Sequence, residues 1–129
     1  MIDAQRVDFV AIPTLDQERA VRFYGDMLGL RRNPNSSDRW VEFETGNLTL
    51  AILPHEYTGR DEFSPNGGPI ALRVEDVEEA RRKLEAAGVE FHGEIIDSGV
   101  CHIAPFADPD GNALILHRRY APYADGSMP

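Results

Sequence analysis

The sequence predicts an α+β fold of two tandem βαβββ modules, and three observations carry that prediction. A strand-like run passes through an aspartate into an amphipathic helix ending at a glycine, once at Val7–Gly29 and again at Pro69–Gly88. The two copies are offset by 60 residues, taking Asp76 against Asp16 (76 − 16 = 60). Each copy then closes with a Gly-Asn turn and an apolar strand, Gly46–Ile52 and Gly111–Leu116. Duplication on this scale is an architecture, because each half is one supersecondary unit that buries its apolar face only beside other elements.

The first strand, Val7–Ile12, leads to Asp16, a suitable N-cap. Ala20, Phe23, Tyr24, Met27 and Leu28 then recur at three and four residues as one apolar helical stripe, ended by Gly29 as a left-handed cap. Arg31–Asp38 contains Asn-Pro-Asn-Ser-Ser and reads as a strand end plus loop. Trp40–Glu44 and Leu48–Leu53 alternate as a hairpin about Thr45-Gly46-Asn47. The Gly-, Pro- and charge-rich stretch after Leu53 is the connection. In the second module Asp76 caps a helix with Val77, Ala80, Leu84 and Ala87 inward, and its charge run is a solvated face with i,i+4 pairs. Asp108-Pro109-Asp110-Gly111 suits a tight turn.

A chain of 129 residues with 42% hydrophobic content is long enough for one good core. The expected organisation is therefore a single domain over 1–129: module one at about 5–53, a connection at 54–68, module two at about 69–118 and a tail at 119–129. A net charge of −9 offers no basic stripe for a phosphate backbone, which excludes nucleic acid as a partner. One cysteine, no membrane-length apolar run and no signal-like N-terminal segment lead to the expectation of a cytoplasmic protein without membrane partners or an internal disulfide.

Strand alternation sorts side chains into a helix-facing set and a cavity set. Val10 and Ile12 face the helix, leaving Phe9 and Ala11 in the cavity; Ile70, Leu72 and Val74 do the same, leaving Pro69, Ala71 and Arg73. Val41 and Phe43 face the helix, with Trp40, Glu42 and Glu44 inward. Cys101 and His102 are adjacent on one strand and cannot act as nucleophile and base together without a bulge. A regular strand turns Cys101 inward and His102 outward, and a bulge reverses them. His55, Tyr57 and Phe63 lie in the long connection, which is compatible with either a lid or a plain linker.

From about Arg6 to His117 the chain resembles the vicinal-oxygen-chelate superfamily, which includes glyoxalase I, bleomycin- and fosfomycin-resistance proteins and extradiol dioxygenases. The resemblance rests on the first strand with Asp16, on the helix Ala20–Leu30 with its Phe23-Tyr24 and Leu28-Gly29-Leu30, and on Phe106-Ala107-Asp108-Pro109-Asp110-Gly111-Asn112. It implies an incompletely closed, cupped mixed sheet with helices on the convex side, and pairing as a homodimer. Its register puts Leu48, Leu50 and Ile52, and Ala113, Ile115 and His117, on the inner side. In metal-using relatives four inner positions hold a divalent ion that polarises paired substrate oxygens. Carried onto this chain they are Phe9, Leu50, Pro69 and Ile115, none of which can ligate a metal. The expectation is a protein with no metal and no cofactor.

The inferred ligand-binding set is Phe9, Trp40, Glu42, Glu44, Leu50, Pro69, Arg73, Cys101, Ile115 and His117, an apolar lining with a few convergent polar groups. Arg73 calls for a carboxylate, from Glu42, from Glu44 or from a ligand. Two functions follow. One is a metal-free binding protein like the bleomycin-resistance branch, in which Phe9 and Trp40 stack on an aromatic or drug-like compound and the glutamates attract its cationic groups. The other is a glyoxalase-, lyase- or dioxygenase-type enzyme, with a relocated metal site on His102, His117 and Glu42 or with acid–base chemistry by Glu42 and His117.

Overall fold

The computed structural model describes all 129 residues and divides into two compact units, Met1–Pro65 and Asn66–Pro129. In the first, β1 (Phe9–Thr14) leads to α1 (Gln17–Arg22), a π-helical turn (Phe23–Met27), β2 (Arg31–Arg32), β3 (Val41–Glu44), β4 (Thr49–Pro54) and a 3-10 turn (His55–Thr58). In the second, β5 (Ile70–Arg73), α2 (Val77–Ala86), β6 (Ile96–Asp97), β7 (Cys101–Ala107) and β8 (Ala113–Arg119) follow. Each unit forms its own four-stranded mixed sheet, ordered β1-β4-β3-β2 and β5-β8-β7-β6, and neither closes into a barrel. Each sheet's opening strand runs parallel to its closing strand, and its other pairs are antiparallel. This is the tandem βαβββ α+β fold read from the repeat.

Both predicted caps form. The Asp16 carboxylate accepts from Arg19 N at 3.1 Å, and that of Asp76 from Glu79 N at 3.0 Å, each satisfying an amide of a helix's first turn. α2 ends in a left-handed Gly88 (φ 95°), with Val89 N donating back to Leu84 O at 2.9 Å. The first helix departs from the regular stripe. Leu28 N donates to Phe23 O, five residues back, at 2.9 Å, so one residue is inserted into the turn and the side chains after it change phase. Phe23 and Tyr24 stay buried, while Met27, expected on the stripe, is 36% exposed. Gly25 sits in that turn where a Cβ would lie 3.3 Å from the Phe43 ring, so the missing side chain admits the ring.

The first unit's core is Ile12, Ala20, Phe23, Tyr24, Val41, Phe43, Leu50 and Ile52, with Tyr24 packed on Phe43 at 6.1 Å between ring centroids. The second unit's core is Val77, Leu84, Ala104, Phe106, Leu114 and Leu116, with Phe91 stacked on Phe106 at 4.8 Å. Its Asp-Pro-Asp-Gly-Asn turn is a buried polar knot. Asp108 accepts from Asp110 N, Asn112 N and Asn112 Nδ2 at 2.9, 2.9 and 2.8 Å, and Asn112 Oδ1 accepts from Asn66 N at 2.8 Å.

One register expectation is overturned. Leu50 pairs with Phe43 and is level with Val10, while Ile52 pairs with Val41 and is level with Ile12. Leu50 and Ile52 are therefore core residues on the helix side, and Leu50 is 0% exposed. The other face of β4 carries Thr49, Ala51 and Leu53. The cause lies in the turns. In module two Ala71 is level with Ile115, four residues past Gly111 (115 − 111 = 4); in module one Ala11 is level with Ala51, five past Gly46 (51 − 46 = 5). Gly46 and Gly111 are not equivalent turn positions, and a slip of one residue turns every side chain of a strand over.

Candidate functional site

The sheet face of module one opposite its helix presents a row of Phe9, Thr49 and Glu44, then a row of Ala11, Ala51 and Glu42. The second row holds two alanines, of which Ala11 is exposed and Ala51 is 0% exposed. The Phe9 and Trp40 rings meet there edge to face, with centroids 5.4 Å apart and planes at 79°, and Phe9 is 44% exposed.

Glu42 anchors the arrangement. Its Oε2 accepts from the Trp40 indole Nε1 at 2.8 Å and its Oε1 from Asn33 Nδ2 at 3.0 Å, so both carboxylate oxygens are held. Asn33 is placed because its own N–H donates to Glu42 O at 2.9 Å, extending the β2–β3 pairing by one residue. The result is a half-buried tryptophan fixed by a carboxylate beside an exposed phenyl ring. Glu44 is held by the Thr49 hydroxyl, which lies 3.1 and 2.9 Å from its two oxygens. Beside Trp40, Arg39 Nε donates to Tyr57 OH at 2.9 Å and its guanidinium lies 5.3 Å above that ring. His55 and Phe63 pack against each other at 5.6 Å. The first turn of the connection is thus tied to the strand end that carries Trp40.

In module two, β7 and β8 pair without a bulge. Cys101, Ile103, Ile115, His117 and Arg73 share the face away from α2, with His117 level with both Ile103 and Arg73. His102 pairs with Arg118 on the opposite face. A relocated ion site using His102 and His117 together is therefore overturned, because the pleat sends their rings to opposite sides of the sheet. The family's metal positions also lack donors. With the corrected register they are Phe9 and Ala51 in module one, Ala51 replacing Leu50, and Pro69 and Ile115 in module two. No group of three His, Cys, Asp or Glu side chains is gathered anywhere in the chain. The residues present do not fit the ion.

His102 belongs to a different cluster. Its Nε2 lies 3.4 Å from Asp97 Oδ2, and its ring stacks on Tyr120 at 4.8 Å. Tyr120 OH donates to Asp97 Oδ1 at 2.7 Å, and Gly99 N donates to the same oxygen at 2.9 Å. The Gly99 amide, then the tyrosine hydroxyl and the neighbouring His102 hold the Asp97 carboxyl below its ordinary value of 3.8. The same hydrogen bond raises Tyr120 above 10.0. The signs fix the pH dependence. The Asp97 contribution is present above the ordinary carboxylate range and is lost as pH falls through its lowered value. That of Tyr120 is present below the ordinary tyrosine range and is lost as pH rises through its raised value. Tyr120→Phe should remove the tyrosine contribution and part of that of Asp97, the Gly99 amide holding the rest, and NMR titration of Asp97 in the variant should move its midpoint partway towards 3.8; an unmoved midpoint would count against the hydroxyl's role.

Of the sequence-inferred residues, the structure brings Phe9, Trp40 and Glu42 together and pairs Glu44 with Thr49. It places Arg73, Cys101, Ile115 and His117 on one face of the second sheet. Asn33, Thr49 and Ala51 escaped the sequence reading. Asn33 sits in a loop-forming run with no marker of its partner, and Thr49 and Ala51 depend on the register.

Two βαβββ units with these turns and an aromatic-acidic open face define the class. The chain belongs to the Glyoxalase/Bleomycin resistance protein/Dioxygenase superfamily, whose sequence model matches residues 6–116. Among solved structures it is similar to TnmS3, an antibiotic binding protein from a Streptomyces species, at 25% identity and a TM-score of 0.73, covering 92% of this chain and 99% of that one. A superfamily member from Sphaerobacter thermophilus is 26% identical, with a TM-score of 0.72 and coverages of 88% and 97%. Lactoylglutathione lyase from Agrobacterium tumefaciens shares the fold at 18% identity, with a TM-score of 0.72 and coverages of 89% and 94%. Comparison with the curated proteins finds no match. No helix is long and apolar enough to cross a membrane.

Proposed function

We propose that this protein is a small-molecule binding member of the superfamily, taking an aromatic ligand with a cationic group on the open face of module one and using no metal at the family's position. The observation that carries the reading is the Glu42 carboxylate held between Asn33 Nδ2 and Trp40 Nε1 beside the exposed Phe9 ring. A tryptophan fixed in this way offers a planar surface whose conformational freedom is already restricted, which favours stacking. Glu42 and Glu44 supply negative charge beside it for a ligand's cation. The printed description of TnmS3 as antibiotic binding supports the same reading. Pairing of two copies, which the family resemblance implies, belongs to this proposal and is checked by analytical ultracentrifugation.

Trp40 is the sole tryptophan, so its emission reports on this face alone. Titration with flat aromatic cations and bleomycin-type compounds should quench it saturably. Glu42→Gln should weaken a cationic ligand by about tenfold, in line with the loss of one charge-assisted contact, and leave its neutral analogue little changed. Quenching that never saturates, or equal losses for both analogues, would sink the proposal.

A further inference from the structure

Phe9 and Trp40 form a corner on the open face of module one. Their planes stand at 79° with centroids 5.4 Å apart, so the two rings are adjoining walls at nearly a right angle. Phe9 is 44% exposed and Ala11, next on the same face of β1, is also open to water. The indole reaches along β3 to Glu42, and that hydrogen bond of 2.8 Å fixes the ring as well as its N–H. The aromatic corner is therefore built before any ligand arrives, with a carboxylate at its edge.

The negative charge at this corner has no cation, and its acceptors are already in use. Glu42 is half-buried, and its two oxygens take neutral N–H donors, Trp40 Nε1 and Asn33 Nδ2. Glu44 is half-buried as well, with the Thr49 hydroxyl on its oxygens. Arg31, opposite Glu44 on β2, is exposed and makes no ion pair with it, and Arg39 donates to Tyr57 instead. We infer that the cation this face takes is a quaternary methylammonium, its methyl groups against the Phe9 and Trp40 rings and its charge beside Glu42. The assignment rests on the reading of module one as a binding face and narrows its ligand class. A primary ammonium carries three N–H donors, each of which needs an acceptor when it leaves water. Here the carboxylate oxygens already hold donors, the Thr49 hydroxyl is turned to Glu44, and the alanine row adds no polar side chain. A trimethylammonium has no N–H to satisfy, and its charge is spread over methyl groups that aromatic faces attract, tryptophan most strongly. The carboxylate then acts through its charge alone.

Benzyltrimethylammonium, benzylammonium and neopentylbenzene, the neutral isostere of the first, are the probes, with affinity read from Trp40 emission and contacts from proton NMR. Benzyltrimethylammonium should bind about tenfold more tightly than either of the others. Its N-methyl signal should move upfield and show NOEs to the Trp40 and Phe9 ring protons. Phe9→Leu, a change at an exposed side chain, should weaken benzyltrimethylammonium severalfold and leave benzylammonium nearly unchanged. Equal or tighter binding of benzylammonium, N-methyl protons without the upfield shift or the NOEs, or equal losses for both cations in Phe9→Leu would overturn the methylammonium assignment while leaving module one a site for aromatic cations. Absence of saturable quenching by either cation, or equal binding of neopentylbenzene, would instead overturn the reading of this face as a cation site, and the assignment with it.

Discussion

Leu50→Ala is expected to lower unfolding stability by about 2–5 kcal/mol, the range for truncating a fully buried leucine. The side chain is 0% exposed and sits in the core row with Val10 and Phe43. Removing it deletes apolar contacts and leaves a cavity that the surrounding Tyr24, Phe43 and Ile52 only partly collapse into. Thr49→Ala, one residue earlier on the same strand, should cost only about 1 kcal/mol, for the hydroxyl contact to Glu44. Urea denaturation of the two variants decides the register. Near-equal costs, or a smaller one for Leu50→Ala, would return Leu50 to the open face. Saturable quenching of Trp40 by an aromatic ligand should survive in Leu50→Ala under conditions where the variant is folded.

Asp108→Ala should cost about 3–5 kcal/mol, a large share of the stability of a domain this size. Its two oxygens receive Asp110 N, Asn112 N and Asn112 Nδ2, in a turn where Asp108 and Asn112 are both buried. Truncation leaves those donors without that acceptor, at about 1–3 kcal/mol for each group that water cannot reach. The loss propagates through Asn112, whose Oδ1 accepts from Asn66 N while Ala113 N donates to Asn66 O at 2.9 Å. Asp108→Asn keeps one oxygen for the backbone amides but turns an amide towards the Asn112 amide, so an intermediate loss is expected. A cost below about 1 kcal/mol for Asp108→Ala in urea denaturation would show that this polar knot is not what holds the turn.

Much of the fold was legible because two periodicities rarely conflict in this chain. Alternation in β3 and β5 marks one apolar and one polar or small face, and the structure keeps those faces. The caps at Asp16 and Asp76 were legible because an aspartate can satisfy an amide three residues on using only local geometry. In β4 the signal vanishes. Leu50, Ala51, Ile52 and Leu53 are all apolar and all buried, so alternation is silent and the repeat, counted from non-equivalent glycines, pointed the wrong way. The π-helical turn was equally hidden, since a stripe at three and four residues does not announce one inserted residue.

By itself, then, the sequence determined the two βαβββ modules, their caps, the faces of most strands and the absence of donor side chains at Phe9, Pro69 and Ile115. Those features depend on residue type and on neighbours within a few positions. Tertiary structure alone decided that Leu50 is core, that Asn33 and Trp40 share the Glu42 carboxylate, that His102 and His117 part company, and that Tyr120 reaches Asp97. Each of these depends on a strand register or on a contact across many residues. Such contacts are set by turn geometry and by what the partner strand buries, neither of which a local pattern encodes.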